Sequence, residues 1–166
     1  MSSESHDWIT PGDVAEAARM TMGRIDLDPA SCSLSNLSVR ADHIYTLIED
    51  GLSKEWHGKV WLNPPYGKAA PRWSKHLMSQ YEAGNVQQAV ACFSSNAMTT
   101  MWFQPFIPYP MVMTIGRINF LGGPRKETTD EEKADATTGK VFVYLGPDVD
   151  KFDAAFGIFG NKMGLR

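Results

Sequence analysis

Apolar and polar positions along the chain switch between a helical period and an alternating one. Thr10-Pro11-Gly12-Asp13 predicts a helix start, with Thr10 as N-cap, Pro11 at the first helical position and Asp13 as a short capping-box partner. Val14, Ala17 and Ala18 then share one face until Gly23 ends the helix. Arg24-Ile25-Asp26-Leu27-Asp28 alternates and predicts a short strand stopped by Pro29. Residues 30–53 show no clean period and are expected to form a long irregular connection, either a ligand-binding or lid segment or disorder.

Lys59-Val60-Trp61-Leu62 predicts a second strand, followed at once by Asn63-Pro64-Pro65-Tyr66-Gly67. Pro71 opens a helix in which Trp73, Leu77 and Tyr81 recur four apart, with Gly84-Asn85 as its stop. Val86 to Phe93 reads as a central third strand, and Ser94-Ser95-Asn96 caps a helix reaching toward Trp102-Phe103. Pro110 to Ile115 is a fourth strand; Arg117 to Leu121 and Lys140 to Leu145 are a fifth and sixth, joined by Gly122 to Gly139. That connector is polar, without an apolar anchor, and is expected to be mobile, as are residues 1–7. Phe152, Phe156 and Phe159 supply a final apolar segment. The pattern predicts one α/β domain over residues 1–166, with a mostly parallel sheet and an antiparallel edge hairpin.

Composition narrows the class. The 166 residues, 43% hydrophobic and 21% charged, exclude disorder across the whole length. Cys32 and Cys92 make neither a disulfide scaffold nor a metal cluster, and His43, His57 and His76 lack ligand spacing, so no metal is expected. The absence of an 18-residue apolar run, with Glu4, Asp7, Asp13 and Glu16 near the start, argues against a membrane span and a secretory signal. A reducing cytoplasm is the expected location. The net charge of -3 divides unevenly: residues 1–53 carry -6, residues 54–126 carry +6 and residues 127–166 carry -3. A weakly acidic chain is a poor generic nucleic-acid binder, yet its positive middle can form one local binding face.

The candidate chemistry lies in Asn63-Pro64-Pro65-Tyr66, at the carboxyl end of a predicted strand, where open α/β sheets place ligands. Two consecutive prolines remove two donors and fix both φ angles, and Pro64 holds Asn63 extended. Asn63 offers a side-chain carbonyl beside the Pro64 carbonyl, Tyr66 a flat face with a polar tip, and Gly67 a close approach. Such a group suits a planar exocyclic amine. Two acceptors, one on each N–H, polarise the nitrogen and select NH₂ over C=O, because a buried unpaired donor is costly. The competing reading is a rigid proline turn with Tyr66 packed on the core.

The tetrapeptide resembles the catalytic motif of amino-group methyltransferases dependent on S-adenosylmethionine. More closely, the chain resembles the small phage-type DNA N6-adenine methyltransferases. The resemblance runs through residues 6–11, Ile25 to Ser31, Asn36, residues 41–46, residues 50–52, Trp56 and Val60 to Gly67. Weaker echoes are Thr99, Trp102-Phe103 and residues 117–120. It implies a Rossmann-like methyltransferase fold in which Asn63, Pro64, Pro65 and Tyr66 hold the target adenine beside the methyl sulfonium. Trp8, Thr10, Pro11, Asp26, Asp28, Pro29, Ala30 and Ser31 become the cofactor-binding candidates. The partner implied is double-stranded DNA, with Lys68, Arg72, Lys75, Arg125 and Lys126 as candidate phosphate contacts. Phage or prophage origin and protection of DNA from restriction follow from the same kinship.

Several alternatives stand beside these roles. Asn63 replaces the Asp commoner in adenine enzymes, and no glycine-rich first motif is present; Asp26 to Ser31 is its positional equivalent. Asn occurs in the related motifs of glutamine and cytosine N4 methyltransferases, so either target fits the residues, as does a non-catalytic binding module on the same fold. In a regular strand Asp26 and Asp28 face opposite sides, so at most one reaches a pocket directly, and Asp28 is the nearer to the strand end. Thr10 is either an N-cap or a cofactor contact. Tyr45 and Asp50 either line the cofactor site or order their loop. Trp102 and Phe103 are either core or walls of a base pocket. Lys68, Arg72 and Lys75 are either phosphate contacts or a solvated helix face.

Overall fold

The computed structural model describes residues 8–116, 118, 121–122 and 139–164. Its centre is a mixed seven-stranded sheet of α/β type. In chain order these strands are β2 (Leu27–Asp28), β3 (His43–Ile44), β4 (Gly58–Leu62), β5 (Val86–Ser94), β6 (Met111–Thr114), β8 (Lys140–Leu145) and β9 (Gly160–Met163). Across the sheet they lie in the order β3-β2-β4-β5-β8-β6-β9. Outside it, β1 (Trp8–Ile9) pairs antiparallel with β7 (Leu121–Gly122). The described helices are α1 (Gly12–Met22), α2 (Ser33–Val39), α3 (Ala70–Glu82) and α4 (Val149–Phe156).

Alternation along the central strands explains the layers. Val60 and Leu62 of β4, Ala89, Ala91 and Phe93 of β5, and Val141, Val143 and Leu145 of β8 pack with Trp73 and Leu77 of α3. Trp61, Val90, Cys92, Phe142 and Tyr144 point the other way and pack with Val14, Ala17 and Ala18 of α1 and Phe152 and Phe156 of α4. Both faces are covered, so these strands are apolar at nearly every position rather than at every second one.

Half of the expected sheet order is corrected. The three neighbouring pairs from β3 to β5 are parallel, and the three from β5 to β9 are antiparallel. Among the described residues no hairpin joins the fifth and sixth predicted strands, and residues 117, 119 and 120 of the fifth lie outside them. Lys140–Leu145 is instead an interior strand between β5 and β6, and Leu121–Gly122 leaves the main sheet to meet β1. The cause is burial: every residue of β8 is buried, which an edge position cannot supply.

Other expectations shift locally. Residues 30–53 are not one irregular connection but hold α2, β3 and the short 3-10 turn Gly51–Ser53. Their period was hidden because α2 buries only Ser35 and Val39, and its N-cap is Cys32, whose sulfur accepts from the Ser35 N–H. Thr10 is not the N-cap of α1; Pro11 is, in extended geometry (ψ 146°) and without a side-chain cap bond. The segment after Ser94 forms two 3-10 turns, Ser95–Thr99 and Met101–Phe106, rather than an α-helix, with Pro105 inside the second. The helix expected from Pro71 starts at Ala70, and α4 and the 3-10 turn Gly157–Phe159 take up the final apolar segment. Residues 1–7 and 123–138, expected to be loose or mobile, lie outside the described residues.

Candidate functional site

The parallel half of the sheet has a reversal in strand order. From β2 the chain moves outward to β3, then returns past β2 to pair β4 on its other side. Adjacent carboxyl ends whose connections diverge leave a crevice, the general ligand position of open α/β sheets. Here the two ends are Asp28-Pro29-Ala30-Ser31 after β2 and Asn63-Pro64-Pro65-Tyr66 after β4. The two motifs singled out from the sequence therefore follow neighbouring parallel strands.

After β4, Asn63 is half-buried, Pro64 buried, Pro65 half-buried and Tyr66 8% exposed. The Tyr66 hydroxyl lies 3.5 Å from Asn63 Oδ1, so motif residues touch each other across the turn. Gly67–Ala69 then forms a 3-10 turn into α3, and Gly67 has φ +76°. That left-handed value is the reason for glycine at this position. A cavity of about 210 Å³ opens against the motif, lined by Pro64, Tyr66 and Gly67 and, from the opposite wall, by Phe93, Ser94, Asn96 and Trp102 among others. Trp102 thus stands in the cavity wall, while its neighbour Phe103 is fully buried in the core.

On the β2 side, Asp28 is 2% exposed; its Oδ1 accepts from the Ala30 N–H at 3.2 Å. Ser31 is buried, and its N–H donates to the Tyr45 carbonyl at 3.0 Å, while the Tyr45 N–H donates to the Asp28 carbonyl at 3.0 Å. Gly51 closes the same corner. A Cβ there would lie 2.1 Å from the Pro29 carbonyl oxygen and 3.1 Å from the Trp73 ring. The Trp56 indole N–H donates to the Gly51 carbonyl at 2.8 Å and fixes this approach.

Asp26 is placed apart from this group. Its carboxylate accepts from Arg24 Nε at 2.6 Å and from the Lys59 N–H at 2.8 Å, at the opposite end of β4 from Asn63. Partial burial pushes its pKa up, but the Arg24 and Lys59 bonds and charges outweigh this and hold it below the usual carboxylate value. Tyr45 donates to the Glu55 carbonyl at 3.2 Å, and Asp50, in left-handed geometry, accepts from the Leu52 N–H at 3.3 Å. Both bonds order the loop that carries them.

Thr10 and Pro11 line a separate open cleft of about 540 Å³ with Arg19, Ser38 and Arg40. The Thr10 hydroxyl is buried with no hydrogen-bond partner among the described residues, and the Thr10 carbonyl accepts from Ser38 Oγ at 2.7 Å. Trp8 lies in β1. Lys68, Arg72 and Lys75 are exposed, on the turn after the motif and the first turns of α3. Arg125 and Lys126 lie outside the described residues. Burial pushes the Cys92 thiol up to about 12, against the charge of Lys140, which leaves it a poor nucleophile.

Sequence reasoning missed Lys140 and Ser94. They are register partners on β8 and β5; Lys140 is 1% exposed, and its Nζ lies 4.1 Å from the Tyr66 ring centroid. The available signal was a charged residue opening an otherwise wholly apolar strand. Among the described residues no group of His, Cys, Asp and Glu could hold a metal ion, and no helix is long and apolar enough to cross a membrane.

Residues 1–146 match a family described as DNA N-6-adenine-methyltransferase (Dam). No curated protein matches the chain.

Proposed function

Because the chain belongs to the DNA N-6-adenine-methyltransferase family, we propose that it is a site-specific enzyme transferring a methyl group from S-adenosylmethionine to the N6 amine of an adenine rotated out of duplex DNA. The observation that carries this reading is the strand-order reversal between β2 and β4, with the Asn63 motif directly after β4 and Tyr66 of that motif on a cavity wall. We read residues 1–166 as one Rossmann-like methyltransferase domain, on the strength of that reversal and of helices on both faces of the sheet.

The residues fit the donor. Thr10 carries a buried hydroxyl that no described residue satisfies, and Asp28 places a buried carboxylate at the end of β2. Asp28, Pro29, Ala30 and Ser31 would hold it at the end of β2, and Trp8, Thr10 and Pro11 are the further candidates, Thr10 and Pro11 on their separate cleft. When bound, S-adenosylmethionine supplies an electrophilic methyl group on a sulfonium sulfur.

An adenine inside the duplex cannot reach such a cavity, so the base leaves the stack. Asn63 Oδ1 and the Pro64 carbonyl accept one N–H each from its amine, which favours the pyramidal nitrogen able to attack. With the donor held beside it, this nitrogen would take the methyl that the donor supplies, and the Asn63 and Pro64 oxygens would keep hold of the amine while its surplus proton is lost to solvent. No strong base is needed beforehand. Tyr66 replaces part of the lost stacking, worth about 1–3 kcal/mol. Lys68, Arg72 and Lys75 grip the phosphates flanking the rotated nucleotide.

Asn63 in place of the commoner Asp favours one second reading, methylation of cytosine N4, since a neutral carboxamide accepts equally well from either amine. The test is incubation with labelled donor and unmethylated mixed-sequence DNA, then nucleoside digestion and mass spectrometry. N6-methyl-2′-deoxyadenosine is the expected product. N4-methyl-2′-deoxycytidine would move the target, and no modified nucleoside despite saturable donor binding would reduce the chain to a binding module.

A further inference from the structure

Burying a lysine is costly unless its ammonium is held in place, and Lys140 is 1% exposed at the edge of the site. Three observations fix its position. Its Nζ lies 4.1 Å from the centroid of the Tyr66 ring. Its backbone is tied down on two sides, because it pairs in register with Ser94 of the cavity wall and its N–H donates to Thr114 Oγ1 at 2.9 Å. Strand alternation sets it on the side of Phe142 and Cys92, whereas Phe93 and Ala97 of the cavity belong to the core on the α3 face. Lys140 is not among the residues that line the cavity, whereas Tyr66 and the Lys140 partner Ser94 are, so the cation meets the ring from outside the cavity.

We propose that Lys140 is a positioning residue for Tyr66: its ammonium braces the ring from outside the cavity and leaves the cavity side as the platform for the extruded base. The attraction between a cation and a ring face is strongest where water is excluded, as it is here. Drawing π-density toward Lys140 also makes the opposite face a better partner for an electron-rich purine. The inference rests on the reading of Tyr66 as the base platform. At 1% exposure Lys140 does not reach a phosphate, which separates its part from that of the exposed Lys68, Arg72 and Lys75.

The test uses the full chain, labelled S-adenosylmethionine and unmethylated mixed-sequence duplex DNA, with Lys140→Met and Lys140→Arg measured in the native and Tyr66→Ala backgrounds. Lys140→Met is expected to lower kcat/KM for DNA by about 10- to 30-fold, with donor Kd within twofold and the slope of log affinity against log salt unchanged. Lys140→Arg should recover most of the loss, and Lys140→Met should add no further loss once Tyr66 is alanine. If Lys140→Met does not fold, Lys140→Gln takes its place in the same cycle. An equal loss in both backgrounds, a loss confined to donor affinity, or a salt slope smaller by about 1 would each overturn the proposal. Wild-type turnover and DNA affinity in Tyr66→Ala alone would instead remove the platform reading beneath it.

Discussion

Pro64 contributes to the site mostly by what it lacks. Without an N–H it cannot extend the ladder of β4, and it restricts Asn63 to extended backbone, which stiffens the strand end that carries the motif. Asp26, two residues before Asp28, shows how finely such roles divide along a strand. One carboxylate ends at the crevice, while the other locks β2 to the start of β4 through the Lys59 N–H. Because its folded pKa lies below the ordinary value of 3.8, Asp26 contributes stability that is fully present above that pH and lost as pH falls through the folded value. Urea denaturation of Asp26→Asn beside the native chain should show a deficit at pH 7 that narrows below about pH 4. A deficit independent of pH would show that the carboxylate charge plays no part.

At the scale of elements, the helices and strands with a strong period were legible: α1, β4, α3 and β5 fall where the apolar spacing puts them. What escaped was set by contacts the chain makes far from itself. The α2 helix is polar on most faces and capped by a cysteine sulfur, and β3 is only two residues long, so neither carries a periodic signal. For β8, closeness in sequence suggested a hairpin, but its unbroken run of buried residues belongs to a strand covered on both faces. The 46–53 segment has its own requirement. A side chain at Gly51 would strike the Pro29 carbonyl at 2.1 Å, and backbone gives way less easily than a flexible side chain. Gly51→Ala is therefore expected to destabilise the fold by about 1–3 kcal/mol, as overpacking does. A shift in urea midpoint at unchanged m-value would report it, and an unshifted midpoint would show the corner to be slack.

Across the whole molecule, charge follows the sheet's geometry. A chain of net charge -3 collects +6 over residues 54–126, the stretch that carries the motif and α3. Exposed Lys68, Arg72 and Lys75 follow Tyr66 directly, so the positive surface lies beside the cavity. Replacing all three with alanine is expected to weaken DNA binding and to reduce the salt slope by about 0.9 for every phosphate that is no longer neutralised. An unchanged slope would make this stripe an ordinary solvated helix face. The motif itself was readable because its chemistry is local, four residues in a row. Lys140 and Ser94 were not, since only the β5–β8 register brings them to it.

The central claim is that the carboxamide of Asn63 and the Pro64 carbonyl hold an amine for attack, and Asn63 tests it most directly. Single-turnover methyl transfer should fall by about 10²–10³-fold in Asn63→Ala, the scale seen when one preorganised polar group is removed from an active site, with thermal stability and donor affinity retained. Asn63→Asp, which keeps an acceptor in the same place, should stay within about tenfold of the native rate. Native turnover in Asn63→Ala would contradict the account.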